Sequence, residues 1–202
     1  MRQGALAIAA VAMLAGCAQQ GPAGPGATLG TAPPGFACPP AGTNVVRSDG
    51  GNITYSGAVP GDPFACAGSL NGAPQNWLAN YYPVPTTDEA SLRRGMAALW
   101  PLEPGKSVNF SRQIGSPDGQ LLFVNTTWHV LGPSTLDVGD RSIPVLVLEQ
   151  HENVPRMGGY AGVWTLYYDP ASRNFVGGDH RVLRGFSNAR NWRVTSLTVP
   201  GS

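Results

Sequence analysis

This sequence is short of charge. In 202 residues it carries 13 lysines and arginines against 12 aspartates and glutamates, 12% of the chain. An ordinary globular chain holds about 25%, so solubility must rest on Ser, Thr, Asn, Gln and exposed backbone. No basic stripe with interleaved aromatics stands out, which argues against nucleic acid as a partner. No apolar run reaches the roughly 20 residues that a permanent membrane-spanning helix needs. Histidine is limited to His129, His151 and His180, and none forms a His-x-x-x-His or Glu-x-x-His pair on a helix. There is no Gly-x-Ser-x-Gly nucleophile elbow and no phosphate-cradling Gly-x-x-x-x-Gly-Lys. With no catalytic constellation in view, the chain reads as non-enzymatic, without metal or cofactor.

What is present begins at the N-terminus. Arg2 is a short cationic stretch, and Ala5 to Ala15 form an apolar run with no charge. That length suits the core of a secretory signal. The small residues Ala15 and Gly16 lead directly to Cys17. Leu14-Ala15-Gly16-Cys17 resembles the lipobox of bacterial lipoproteins. The resemblance implies that residues 1–16 are a signal peptide cut before Cys17, and that Cys17 is acylated. The alternative is an ordinary cleaved signal with an incidental cysteine. Each buried methylene contributes about 0.8 kcal/mol, and one acyl chain holds a protein only reversibly. Several chains on one cysteine would hold it permanently. Ala18 stands where a family aspartate would signal retention at the inner membrane. The resemblance therefore implies a lipid-anchored protein of the outer membrane, facing the periplasm. Cleavage would also remove Arg2 and bring basic and acidic residues into balance.

Setting Cys17 aside leaves Cys38 and Cys66 as an even pair. In an exported protein such a pair is expected to form a disulfide. A reactive thiol would need a low-pKa setting and a metal site more cysteine or histidine nearby. Residues 17–37 then read as the lipidated cysteine and a Gly/Pro/Ala linker, and 38–202 as a single β-rich domain.

From Cys38 to about Pro85 the sequence looks loop-rich, with one short strand at Asn52 to Tyr55 between the turns Asp49-Gly50-Gly51 and Pro60-Gly61-Asp62-Pro63. Thr86 and Glu89 have the spacing of a capping box. Leu92, Met96 and Leu99 then recur at four and three residues as one apolar stripe. Arg93 and Arg94 fall off that stripe, and Pro101 ends the helix. Beyond Pro104-Gly105 the pattern changes to period two. Leu122, Val124, Thr126, Trp128 and Val130 share one strand face, while Asn125, Thr127 and His129 share the other. Further strands follow at Ile143 to His151, Tyr160 to Tyr168, Asn174 to Val176, Arg181 to Phe186 and Trp192 to Val199. The expected architecture is mainly β, an antiparallel twisted or curled sheet, a partly closed meander with one packed α-helix. The pieces Trp100-Pro101-Leu102, Pro104-Gly105-Lys106, Val138-Gly139, Ile143-Pro144-Val145 and Trp164 to Pro170 come in a familiar order. Over residues 99–185 they resemble a broad group of bacterial envelope β-domains, which implies a meander and no enzyme.

Three functional readings follow. The leading one is an envelope lipoprotein whose β-rich domain docks to an envelope partner or has an accessory structural role. The second is a carrier holding a lipid or other apolar ligand between sheet and helix, in a pocket lined by Leu92, Met96, Trp128 and Val130. The third is a hydrolase or metal-dependent enzyme around His151 and Glu149, which share a strand face. Aromatic residues add one more cue. Trp77, Tyr81 and Tyr82 precede the helix, and Trp164, Tyr167 and Tyr168 lie in one strand. Trp164 and Tyr168 share a face and Tyr167 takes the other. An aromatic on the outer face would offer a surface to sugars or a partner, or simply cap a sheet edge.

Overall fold

The structure, a computed structural model, describes residues 31–115, 119–138, 141–155 and 159–201. The signal segment, Cys17 and residues 18–30 of the linker lie outside them. Five strands precede the helix: β1 (Asn44–Arg47), β2 (Asn52–Val59), β3 (Asp62–Leu70), β4 (Ala73–Leu78) and β5 (Tyr82–Val84). Helix α1 spans Glu89–Leu99. Six strands follow: β6 (Ser107–Gly115), β7 (Leu121–Val138), β8 (Arg141–Asn153), β9 (Ala161–Asp169), β10 (Asn174–Arg184) and β11 (Trp192–Thr198). Among the described residues all eleven form one sheet, in the order β5-β4-β3-β2-β1-β11-β10-β9-β8-β7-β6. Every neighbouring pair is antiparallel.

That order is two meanders joined where β1 pairs with β11. The free edges, β5 and β6, are consecutive in the chain and are connected through α1. The sheet curls so that β5 faces β7 and β8. Trp128 Nε1 on β7 donates to the Tyr82 hydroxyl on β5 at 3.2 Å, and Gln150 Nε2 on β8 donates to the same oxygen at 2.6 Å. The sheet is not closed by a β5–β6 ladder, and α1 packs against β6. Helix and strand approach so closely that a Cβ on Gly95 would stand 2.2 Å from the Phe110 ring.

Period-two patterning explains the inner face. Val124, Thr126, Trp128 and Val130 of β7 are buried, and Val145, Leu148, Leu166 and Val176 join them from β8, β9 and β10. The region expected to be loop-rich is instead β1 to β5. Its strands are tightly joined: Asn71-Gly72 and Ala79-Asn80 each place two successive residues at positive φ. With the hydrogen bond from Tyr81 N to Leu78 O at 3.0 Å, the second pair is the hairpin turn whose twist matches antiparallel strands. The disulfide Cys38–Cys66 is formed, with Cα atoms 5.4 Å apart, and ties the segment before β1 to β3. Phe36, within the stretch read as linker, is buried against Phe64 and Trp100 at ring separations of 4.8 and 5.0 Å.

Two helix details differ from the sequence expectation. The N-cap is Asp88, whose carboxylate accepts from Ser91 N at 3.3 Å, rather than Thr86. The helix starts two residues later than the Thr86–Glu89 capping box requires, and Glu89 turns to Arg93 instead, at 2.9 Å. Arg93, expected off the buried stripe, is itself buried. It grips both carboxylate oxygens of Asp62 on β3 at 2.8 and 2.7 Å. Burial works against its charge, but the carboxylates of Asp62 and Glu89 outweigh burial and hold the guanidinium firmly protonated.

Candidate functional site

Inside the curl, a half-open cleft of about 290 Å³ is walled by aromatic rings. Tyr55 of β2 and Trp77 of β4 form one side, with ring centres 5.5 Å apart. Trp164 of β9, Phe175 of β10 and Trp192 of β11 form the other. Tyr81 and Tyr82, just past the Ala79-Asn80 turn, close the back. The alternation of each strand delivers these rings to the inner face: Ile53 and Tyr55 on β2, Trp192 and Val194 on β11. Trp77 and Trp192 each pack closely against a glycine. A Cβ on Gly68 would stand 3.1 Å from the Trp77 ring, and one on Gly178 would stand 2.7 Å from Trp192 Nε1.

The back of the cleft is held by a buried polar network. The Tyr81 hydroxyl donates to Gln150 Oε1 at 2.7 Å, while the Tyr82 hydroxyl accepts from Trp128 and Gln150. Gln150 Nε2 also reaches Glu152 at 3.1 Å, which accepts from Arg112 at 2.8 Å. Burial pushes the pKa values of Tyr55, Tyr81 and Tyr82 up, so these rings stay neutral at every physiological pH.

Three polar side chains reach the cleft. Arg47 stacks on Trp192, its guanidinium carbon 3.9 Å from the ring centre, and is paired with Asp49. Asn174 is buried and donates to Ser172 O at 3.1 Å. Asn80 is 6% exposed and donates to Arg173 O at 2.8 Å and to Asn174 Oδ1 at 3.2 Å. Its own amide oxygen accepts no hydrogen bond among the described residues. A buried acceptor left without a donor costs about 1–3 kcal/mol.

The residues singled out from sequence fall in several places. Leu92, Met96, Trp128 and Val130 come together, but as packed core, each at most 1% exposed. Of the four, Leu92 also borders a 560 Å³ surface pocket with Thr86 and Arg112. His151 does meet Glu149, at 3.1 Å, with the His129 ring 5.5 Å away. Among the described residues no group of three His, Cys, Asp or Glu is placed to hold a metal ion. Tyr167 lies on the opposite face from Trp164, where Arg193 covers its ring at 4.9 Å and its hydroxyl donates to Asp179 at 2.9 Å. His180 packs against Trp164, with ring centres 4.6 Å apart, and meets the Tyr160 hydroxyl. Trp77, Tyr81, Tyr82 and Trp164 were visible as aromatic clusters. Tyr55, Phe175, Trp192, Arg47 and Asn80 were not, because they meet through the pairing of β1 with β11, which joins segments far apart in the chain.

No protein-family model and no curated protein matches the chain. Among solved structures, the chain is similar to the hypothetical lipoprotein YmcC from Escherichia coli (K12). The two share 11% identity over 76% of this chain and 82% of that one, at a TM-score of 0.45. A likeness that distant carries no argument about function.

Proposed function

We propose that this is a lipid-anchored protein of the bacterial envelope whose β-rich domain works by holding a ligand or partner rather than by chemistry. The observation that carries the reading is the aromatic cleft. Its lining contains no histidine, cysteine, serine or carboxylate, and its rings are neutral. Most of its rings are buried and so held rigid, with Tyr81 and Trp164 partly exposed, which suits recognition at low entropic cost. Support for the anchor comes from the Leu14-to-Cys17 motif, and Ala18 favours the outer membrane, periplasm-facing. Metabolic labelling with an alkyne-tagged fatty acid tests the anchor: label appears on the wild type and vanishes in Cys17→Ala. An unlabelled wild type recovered free of the membrane would overturn it.

A carrier of an apolar ligand is the second reading. On this reading the ligand would sit in the aromatic cleft, since Leu92, Met96, Trp128 and Val130 are packed core.

A further inference from the structure

Among the described residues, five of the seven exposed large apolar side chains gather at one end of the curled sheet. Leu121 and Phe123 open β7, while Val182, Leu183 and Phe186 end β10 and begin the loop after it. Strand pairing sets the two groups at the same end: Asn125 lies opposite Asn153, Asn153 opposite Ala161, and Ala161 opposite Arg184. Among the described residues β11 pairs only with Gly177 and Gly178 of β10. The end of β10 therefore projects past it, and its last four residues are exposed on both faces. A register shift between Val182 and Arg184 leaves Leu183 as the extra, bulged residue. Phe186 is 85% exposed. The charge around these side chains has one sign. No aspartate or glutamate follows Asp179 in the sequence, and Asp179 is matched by Arg193. Arg184 donates to Asn153 and to the Gly159 carbonyl, neutral partners that leave its charge in force. Arg181 and Arg190, both exposed, form no ion pair among the described residues.

We propose that this end of the domain docks on an anionic phospholipid surface, with its apolar tips in the acyl boundary and its arginines at the headgroup phosphates. The inference goes beyond the ligand-holding reading and takes from the proposed function only the lipid anchor. A second copy of the chain would bring arginines against arginines across a two-fold axis. A bilayer answers both features at once: hydrocarbon receives the projecting side chains, and phosphates match the guanidinium groups. The anchor also brings a bilayer within reach. Arg173 donates to the Cys38 carbonyl at 3.3 Å, so the chain enters the domain at the opposite end of β10 from Phe186. The 11 residues of β10 span about 36 Å. The 14 steps from Cys17 to Thr31 can cover up to about 50 Å. One membrane can therefore hold both the acylated cysteine and the docked end.

The test uses the full acylated chain, reconstituted in vesicles of phosphatidylcholine with or without phosphatidylglycerol. Asn188→Cys, at an exposed position beside Phe186, carries a polarity-sensitive NBD label. Cys38 and Cys66 are bridged and Cys17 carries lipid, so the introduced thiol alone reacts. Ala171→Cys, exposed at the other end of β10, is the control position. In vesicles containing phosphatidylglycerol, the label at 188 brightens and is quenched by doxyl groups on the lipid chains, while the label at 171 is not. Omitting phosphatidylglycerol, or introducing Arg181→Gln with Arg190→Gln, moves the docked-to-free ratio about fivefold or more toward free. Phe186→Ser with Leu183→Ser removes the quenching, and the protein still floats with the vesicles. A label at 188 that stays in water on an anchored protein would overturn the docking while the anchor stands. Quenching indifferent to phosphatidylglycerol and to the arginines would overturn the headgroup contact. Failure to float with either vesicle would overturn anchor and docking together.

Discussion

Trp192 lies across Gly178, so close that a methyl group there would stand 2.7 Å from the indole nitrogen. The glycine leaves the space that Trp192, a cleft residue, occupies. Gly178→Ala must push Trp192 toward the cavity or shift β10 from β11. Overpacking of this kind costs about 1–3 kcal/mol. Urea denaturation should show that loss, and cleft binding should weaken beyond what the loss of fold accounts for.

Arg93 anchors the helix to the first meander. Removing it leaves the Asp62 carboxylate, 17% exposed, without its guanidinium partner. Arg93→Ala should cost about 3 kcal/mol or more. Asp62→Ala in the same background should recover part of the loss, because the stranded charge goes with it. A double-mutant cycle by chemical denaturation measures this coupling, and purely additive effects would refute it.

The Cys38–Cys66 bridge closes a sequence separation of 28 residues. In the chain-entropy account it restrains the unfolded chain by about 3–4 kcal/mol. The double variant Cys38→Ala/Cys66→Ala should lose that amount in equilibrium unfolding. The wild type under reducing conditions should move the same way.

Two groups set the response to acid. Burial holds the His180 pKa below its ordinary 6.5, with Glu152 pulling the other way. The unfolded chain therefore takes that proton first, and stability falls as pH drops below about 6.5. Asp179 is held below 3.8, chiefly by its hydrogen bond from Arg193, against burial and with help from Tyr167. Its contribution is complete above 3.8 and is lost as pH falls through its lower folded value. Unfolding free energy followed against pH should show two separate declines. His180→Gln should flatten the decline between pH 7 and 5, and Asp179→Asn the one below 4. Nearby Tyr160, pushed up to about 12 by burial and Glu152, stays neutral throughout.

The second half of the fold was readable because its strands are long and alternate cleanly, as in Val124, Thr126, Trp128 and Val130. The first half was hidden because β1 and β5 are short, because β2 and β3 carry Gly, Ala and Ser in place of large alternating side chains, and because the turn Ala79-Asn80 lacks the glycine that marks such hairpins. Asn71-Gly72 did carry the mark, and it joins β3 to β4. Arg93 looked exposed because helix periodicity counts apolar residues and cannot see Asp62, 31 positions earlier. The cleft was legible only in pieces. Trp77 and Trp164 stand out locally, but what sets them on facing walls is the pairing of the first strand with the last. No local pattern encodes that contact, which spans nearly the whole described chain.

Native mass spectrometry of the full chain, released gently from envelope membranes, tests ligand holding most directly. The wild type should carry acyl mass on Cys17 and a further mass that leaves on denaturation. Trp164→Ala should keep the acyl mass and lose most of the second. A bare polypeptide mass beyond the acyl group, identical in both proteins, would contradict a domain that works by holding a ligand in its aromatic cleft.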